Sequence, residues 1–263
     1  MALIQTNLAT SVAHPRVRDI TARDLHWALR AGMNDFLALR GDILFAAFIY
    51  PTVAILAAAF ALDVRLTPIV FPIIAAFTLM GPVFAIGFYE LARRREEGVE
   101  PRWGHFFDPL RGPSRMQIIA LAALLAMIAV VWLVTAKAIF EATLGTLHPA
   151  TAGAFLRDLF GTAEGWRLIL FGNLAGLGFA VVTLAIAVVS FPMMVDRSVH
   201  AFDAVETSLR AMGRNPAVIL RWGFYVVAIL LLSSIPLFLG LAVAFPVLGY
   251  ASWHLYTRIV DRQ

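Results

Sequence analysis

The stretch whose reading settles the fold is GPVFAIGFYELARRREEGVEPRW, residues 81–103. It begins as an apolar run interrupted by Gly81-Pro82. It ends as Tyr89-Glu90, arginines at 93, 94 and 95, and acids at 96, 97 and 100. A helix changes in this way where it leaves hydrocarbon and meets a basic, hydrated boundary. Arg93 stands three and four positions before Glu96 and Glu97, so the charged end can pair along its own surface, and Gly98 followed by Pro101 supplies a stop. The arginine run therefore reads as a topology anchor rather than a dedicated ligand site.

The rest of the chain agrees with a membrane reading. Of 263 residues, 60% are apolar and 14% charged, against about 45–50% and about 25% in an ordinary soluble domain. Six runs, at 43–62, 68–89, 117–136, 167–195, 216–235 and 237–257, approach the roughly 20 residues needed to cross a hydrocarbon core. They are continuously apolar rather than alternating, which selects helices over a barrel. The expected fold is all-α and polytopic: a polar segment over 1–20, then one six-span membrane domain over 21–263. The first residues hold no compact apolar stretch followed by a small-residue cleavage site, so no cleaved signal peptide is expected. The absence of cysteine excludes disulfides, thiolate metal sites, cysteine-held iron–sulfur clusters and thiol catalysis.

Lysines and arginines fall unevenly between the spans. Five precede span 1, six lie between spans 2 and 3, four surround the 4–5 loop and two follow span 6, whereas the other side holds only Arg65, Lys137, Arg157 and Arg167. This bias is expected to put both termini in the cytoplasm. The net charge of +4 is a matter of topology and gives no reason to expect nucleic acid.

Two segments read as amphipathic helices lying at the inner interface. In DLHWALRAGMNDFLALRGD the apolar face is Leu25, Leu29, Gly32 or Met33, and Phe36, with Arg30 and Asp35 elsewhere. In 199–212 it is Val199, Phe202, Val205 or Glu206, and Leu209, and both segments contain Leu-Arg-Ala. The returning spans that follow are also alike: aligning Pro82 with Pro246 pairs Gly87 with Ala251, Tyr89 with Trp253 and Arg94 with Arg258. The pattern implies a parallel internal repeat of two units about an axis along the membrane normal. Span 4 carries a small-residue stripe, Gly172, Gly176, Ala180, Thr183 and Ala187. Gly172, Gly176 and Ala180 form the candidate helix-packing face, facing this chain's own bundle or, as a homo-oligomer, a second copy.

The histidines are His14, His26, His105, His148, His200 and His254, of which only His254 lies near a span. There is no H-E-x-x-H, P-loop, G-x-S-x-G or dinucleotide fingerprint, and a haem-copper oxidase core would need a set of intramembrane histidines. No catalytic residue, cofactor or metal is expected, and the chain is not expected to be an enzyme. Glu90, Lys137, Asp196, Arg221 and His254 are ionisable at or near membrane depth, where an unpaired charge costs several kcal/mol. Glu90 and His254 occupy matching positions at the inner ends of spans 2 and 6. Arg221 lies a short way into span 5, so Glu90, Arg221 and His254 form a candidate polar cluster, either structural or linked to a substrate or proton. Arg221 is expected to be paired. Asn173 reads as an interhelical hydrogen-bond donor, Trp132, Trp166, Trp222 and Trp253 as members of an aromatic belt, and Pro82, Pro192 and Pro246 as kinks.

The segments LMGPVFAIGFYELARRREEGVEPRW, SFPMMVDRSVHAFDAVETSLRAMGRNP and FPVLGYASWHLYTR, in that order, resemble a bacterial family of predicted integral membrane proteins of unknown function. Some members of that family carry the label of cytochrome c oxidase subunits. The resemblance implies a bacterial inner membrane and, within it, a non-catalytic accessory or assembly subunit of a respiratory inner-membrane complex, with membrane lipids and subunits of that complex as partners. The repeat, the prolines and the polar cluster support the alternative of a small-molecule or ion transporter or channel. No site residue comes with the resemblance.

Overall fold

A computed structural model describes residues 15–39, 67–147, 151–236 and 238–262. The span expected at 43–62 lies outside the described residues, as does most of the segment 1–20. Among the described residues every regular element is helical, apart from an antiparallel bridge between Val17 and Val260. The helices are α1 Ala22–Leu39, α2 Thr67–Leu79, α3 Gly81–Phe84, α4 Ile86–Glu96, α5 Arg115–Ala142, α6 Ala152–Gly161, α7 Ala163–Asp196, α8 Ala201–Arg214, α9 Pro216–Ser234 and α10 Leu241–Ile259, with 3-10 segments at Trp103–Leu110 and Leu144–Leu147.

Among the described residues three helices, α5, α7 and α9, are long and apolar enough to cross a membrane. They keep large apolar side chains on their outer faces, among them Val130, Val134, Leu174, Leu177, Phe224 and Leu231. The stretch expected as span 2 is divided. Proline has no amide hydrogen, so Pro82 cannot continue the hydrogen-bond ladder of α2, and the chain tightens there, with Val83 and Phe84 amides both donating to the Met80 carbonyl. Helix α4 then runs past the expected boundary to Glu96. Gly98, at φ +75°, ends it: the Gly98 amide donates to the Arg95 carbonyl and the Val99 amide to that of Arg94, the paired bonds of a left-handed helix stop.

Helix α7 has 34 residues, roughly 50 Å at about 1.5 Å each, more than a hydrocarbon core needs. Its last part, Ala187 to Met194, is buried in a core shared with α1, α4, α8 and α10. Helix α10 is central to that core, with Tyr250, Ala251, Trp253, Leu255, Tyr256 and Ile259 fully buried. A smaller core of Ala76, Leu79, Ala129, Trp132 and Ala136 joins α2 to α5.

The packing groups the chain in threes. Helices α4, α7 and α10 touch one another, and each carries an interfacial segment: the 3-10 segment 103–110 on α4, α8 on α7 and α1 on α10. Each contact uses a small residue that lets main chains approach. A methyl group at Gly32 of α1 would stand 2.6 Å from the Ala251 amide nitrogen, and one at Gly87 of α4 would stand 2.3 Å from the Phe106 ring. Ser208 of α8 sits between Ala185 and Val189 of α7, donating to the Ala185 carbonyl at 2.7 Å and accepting from the Val189 amide at 3.2 Å. Gly87 of α4 and Ala251 of α10 each lie where an interfacial segment comes close to its helix. The segment 103–110 is an interfacial contact that the sequence pattern did not single out.

Helix α1 buries Leu25, Gly32 and Phe36 of its expected apolar face, whereas α8 packs on its smaller residues. In α1 Asp35 is buried beside Leu25, Ala28, Gly32 and Phe36, while Met33 is exposed. In α8 the buried face is Ala204, Thr207, Ser208 and Ala211, leaving Phe202 and Leu209 exposed. In α8 close contact with α7 selects small residues.

Candidate functional site

The residues that follow Tyr89 divide their charges among four partners. Glu90 is buried and accepts from Arg93 Nε at 2.9 Å, Arg93 Nη2 at 2.8 Å and Arg94 Nε at 2.6 Å. Arg94 also donates to Asp108 at 2.9 Å, tying α4 to the 3-10 segment. Arg93 reaches Glu97 at 2.8 Å, and its guanidinium is held more firmly protonated, chiefly by the Glu90 hydrogen bond. Arg95 turns to α1, donating to the Asn34 carbonyl at 3.1 Å and standing 3.3 Å from Asp35. Glu96 takes the Trp253 indole at 3.1 Å and pairs with Arg262. Successive helix positions point about 100° apart, which is how one short run ties α4 to α1, the 3-10 segment and the C-terminal end.

Two further knots complete this inner layer. Asp35 accepts from or donates to His254 Nε2 at 2.7 Å, according to the state of the pair. Trp27 stands edge-on to His254 at 5.6 Å and carries the Arg258 guanidinium over its face at 4.0 Å, a favourable cation–π contact. Asp196, at the end of α7, accepts from the Tyr256 hydroxyl at 2.7 Å, from Arg197 at 3.2 Å and from Arg262 at 3.3 Å.

The expected cluster of Glu90, Arg221 and His254 is therefore distributed. Glu90 and His254 belong to different hydrogen-bonded groups. Arg221 is exposed on α9 between exposed Leu220 and Phe224 and has no charged or hydrogen-bonding partner among the described residues. Its neighbour Trp222 takes the inward direction, which by helical geometry sends Arg221 outward. The packing face also divides. A methyl group at Gly172 meets nothing within 4 Å, one at Gly176 meets the Trp132 ring at 3.4 Å, and Ala180 packs on the smaller core. Asn173 donates to its own helix at Ile169 rather than to a neighbour. Lys137 pairs with Glu141 at the other end of α5. Of the belt tryptophans only Trp166 is exposed. Trp132 is buried and donates to the Pro72 carbonyl at 2.8 Å.

Sequence reasoning missed Asp35, Asp108 and Arg262 as parts of this layer. Asp35 had a visible signal, a single acid within the apolar pattern of α1, but the other two depend on long-range contacts that no local spacing reveals. No group of three or more His, Asp and Glu residues able to hold a metal occurs among the described residues.

These features define an all-α integral membrane protein whose charged residues gather at one end of its helices. Residues 70–196 match the profile of a family described as "Predicted integral membrane protein (DUF2189)", so the resemblance carried by the sequence motifs is to a family without an assigned activity. No curated protein and no solved structure matches the chain.

Proposed function

We propose that the protein is a non-catalytic accessory or assembly subunit of a respiratory inner-membrane complex, acting by contact, with its inner layer on the cytoplasmic side. The observation that carries the contact reading is an apolar groove of about 390 Å³ between α5 and α7, lined by Met127, Ile128, Val131, Ala175, Gly178, Phe179 and Val182. Small residues at a helix face allow a partner helix to approach, and a methyl group at Gly178 would meet no described atom within 4 Å. The respiratory part of the reading rests on the label carried by some of the proteins that the sequence resembles. The transporter or channel alternative draws on the charged inner layer, but Phe88 and Tyr250, fully buried and edge-to-face at 5.1 Å, fill the space beside it.

Gentle-detergent purification followed by mass spectrometry of everything retained tests the reading. Respiratory subunits should co-purify with the wild type and be lost from Gly178→Leu at equal membrane insertion. A liposome flux abolished by Glu90→Gln, in a protein that retains no partner, would replace it with the transporter.

A further inference from the structure

A cavity of about 300 Å³ opens where the inner ends of α4 and α7 meet the start of α5. Its walls include Arg93, Arg94, Arg197, Glu90, Asp108, Asp196 and Ser114. Hydrogen bonds separate these groups into occupied and free. Glu90 and Asp108 are taken up by Arg93 and Arg94, and Asp196 by Tyr256, Arg197 and Arg262. The carboxylates are thus neutralised within the wall.

Ser114 is different. It is the N-cap residue of α5 and is 8% exposed, yet its side chain makes no capping bond and meets no hydrogen-bond partner among the described residues. Ser114 is buried as a residue and lies in the cavity wall. It stands at the start of a 28-residue helix, whose first-turn amides lack intrahelical acceptors and whose dipole favours negative charge. Arg197 adds a cation with its own sequence neighbour Asp196 as its acid. Arg111 and Arg115, on either side of the Gly112–Ser114 wall, are exposed and have no acidic partner among the described residues.

We propose that this cavity binds a phosphate-bearing anion, received by the Ser114 hydroxyl, the N-terminus of α5 and the Arg197 guanidinium. The volume is at the small end of ligand cavities, about 300–1,000 Å³, and suits a headgroup phosphate or a free phosphate. The site stands apart from the groove between α5 and α7, so it does not depend on the contact reading.

The test uses the full chain in nanodiscs of phosphatidylcholine, with phosphatidylglycerol added and scored by native mass spectrometry, and labelled orthophosphate added in a second arm scored by equilibrium binding. The wild type should retain phosphatidylglycerol, orthophosphate or both in preference to phosphatidylcholine. Ser114→Ala and Arg197→Gln should each weaken retention by about tenfold, the effect of one hydrogen bond to a charged group. Arg197→Lys should recover part of it, and Arg157→Gln, on the other side of the membrane, should have no effect. Retention of phosphatidylglycerol alone identifies a lipid headgroup, and retention of orthophosphate alone a soluble phosphate. Because the Ser114 hydroxyl makes no bond among the described residues, its removal should leave folding intact, as equal melting temperatures will verify. Failure of both probes to bind, or binding indifferent to both Ser114→Ala and Arg197→Gln, overturns the proposal.

Discussion

The inner ends of the helices and their membrane-crossing stretches are built on different principles. At the inner end, Gly32 meets the α10 main chain, Gly249 meets the Phe88 ring, and buried Glu90 is held by two arginines. Along the crossing stretches of α5, α7 and α9 no more than a third of each window is buried, and glycines such as Gly172 and Gly178 face open space. Lipid supplies no hydrophobic drive between helices, whereas water at the inner end does. Hence specificity of fold is concentrated where the chain meets water, and the crossing stretches are left able to take partners.

The largest effect should come from a side chain added at Gly32. Its Cβ would lie 2.6 Å from the Ala251 nitrogen and 2.7 Å from the Val247 carbonyl oxygen, both main-chain atoms that cannot rotate away. Gly32→Leu should cost at least about 4 kcal/mol, seen as aggregation or loss of a cooperative melt. Gly172→Leu, made in open space, should leave the melt unchanged. Equal damage from the two would break the division between the inner end and the crossing stretches.

Next comes Glu90→Gln, which leaves Arg93 and Arg94 without their shared carboxylate. Removing one partner of a buried charge group costs about 3 kcal/mol, to be read from denaturant midpoints in matched detergent. A smaller loss, about 1 kcal/mol for a hydrogen-bonding hydroxyl, is expected from Ser208→Ala, which unties α8 from α7. An unchanged midpoint for Glu90→Gln would show that the inner layer is solvated rather than structural.

The boundary between these regions explains what could be read from the sequence. Apolar runs at 117–136, 167–195 and 216–235 correspond to α5, α7 and α9 because lipid-facing helices need only be apolar, and that is a local property. The stop at Gly98 was legible for the same reason, since a helix end is written in adjacent residues. The polar cluster was not legible. Arg221 and Trp222 are neighbours in sequence but point about 100° apart, one outward and one into the core, and Glu90 had five nearby charges from which to choose. The face that α8 packs on α7 was not legible, because amphipathic reasoning picks out Phe202 and Leu209, whereas close helix contact selects Ser208. The family match over 70–196 covers the arginine run and α7 but carries no site to correct these readings.

The smallest expected effect lies at the rim of the inner layer, where Arg214 donates to both carboxylate oxygens of Asp19 at 2.7 and 2.8 Å. This hydrogen bond, aided by the charge of Arg214, holds the Asp19 carboxyl below the usual carboxylate range. A carboxyl with a depressed folded-state pKa stabilises the fold above its unfolded pKa and loses that contribution as pH falls through the folded value. The window therefore opens as pH drops below about 4. Both side chains are more than half exposed, so solvent screens the pair and its contribution is small. Asp19→Asn should leave the melting temperature at pH 7 slightly lower and make the fall between pH 5 and pH 3 shallower than in the wild type. Asn215 holds the same junction from the buried side, accepting from the Ile20 amide at 2.9 Å and donating to the Arg18 carbonyl at 3.0 Å. Asn215→Ala should therefore exceed Asp19→Asn in thermal melts at neutral pH. The reverse order would mean that the exposed charge, rather than the buried amide, fastens the amino-terminal segment to α8.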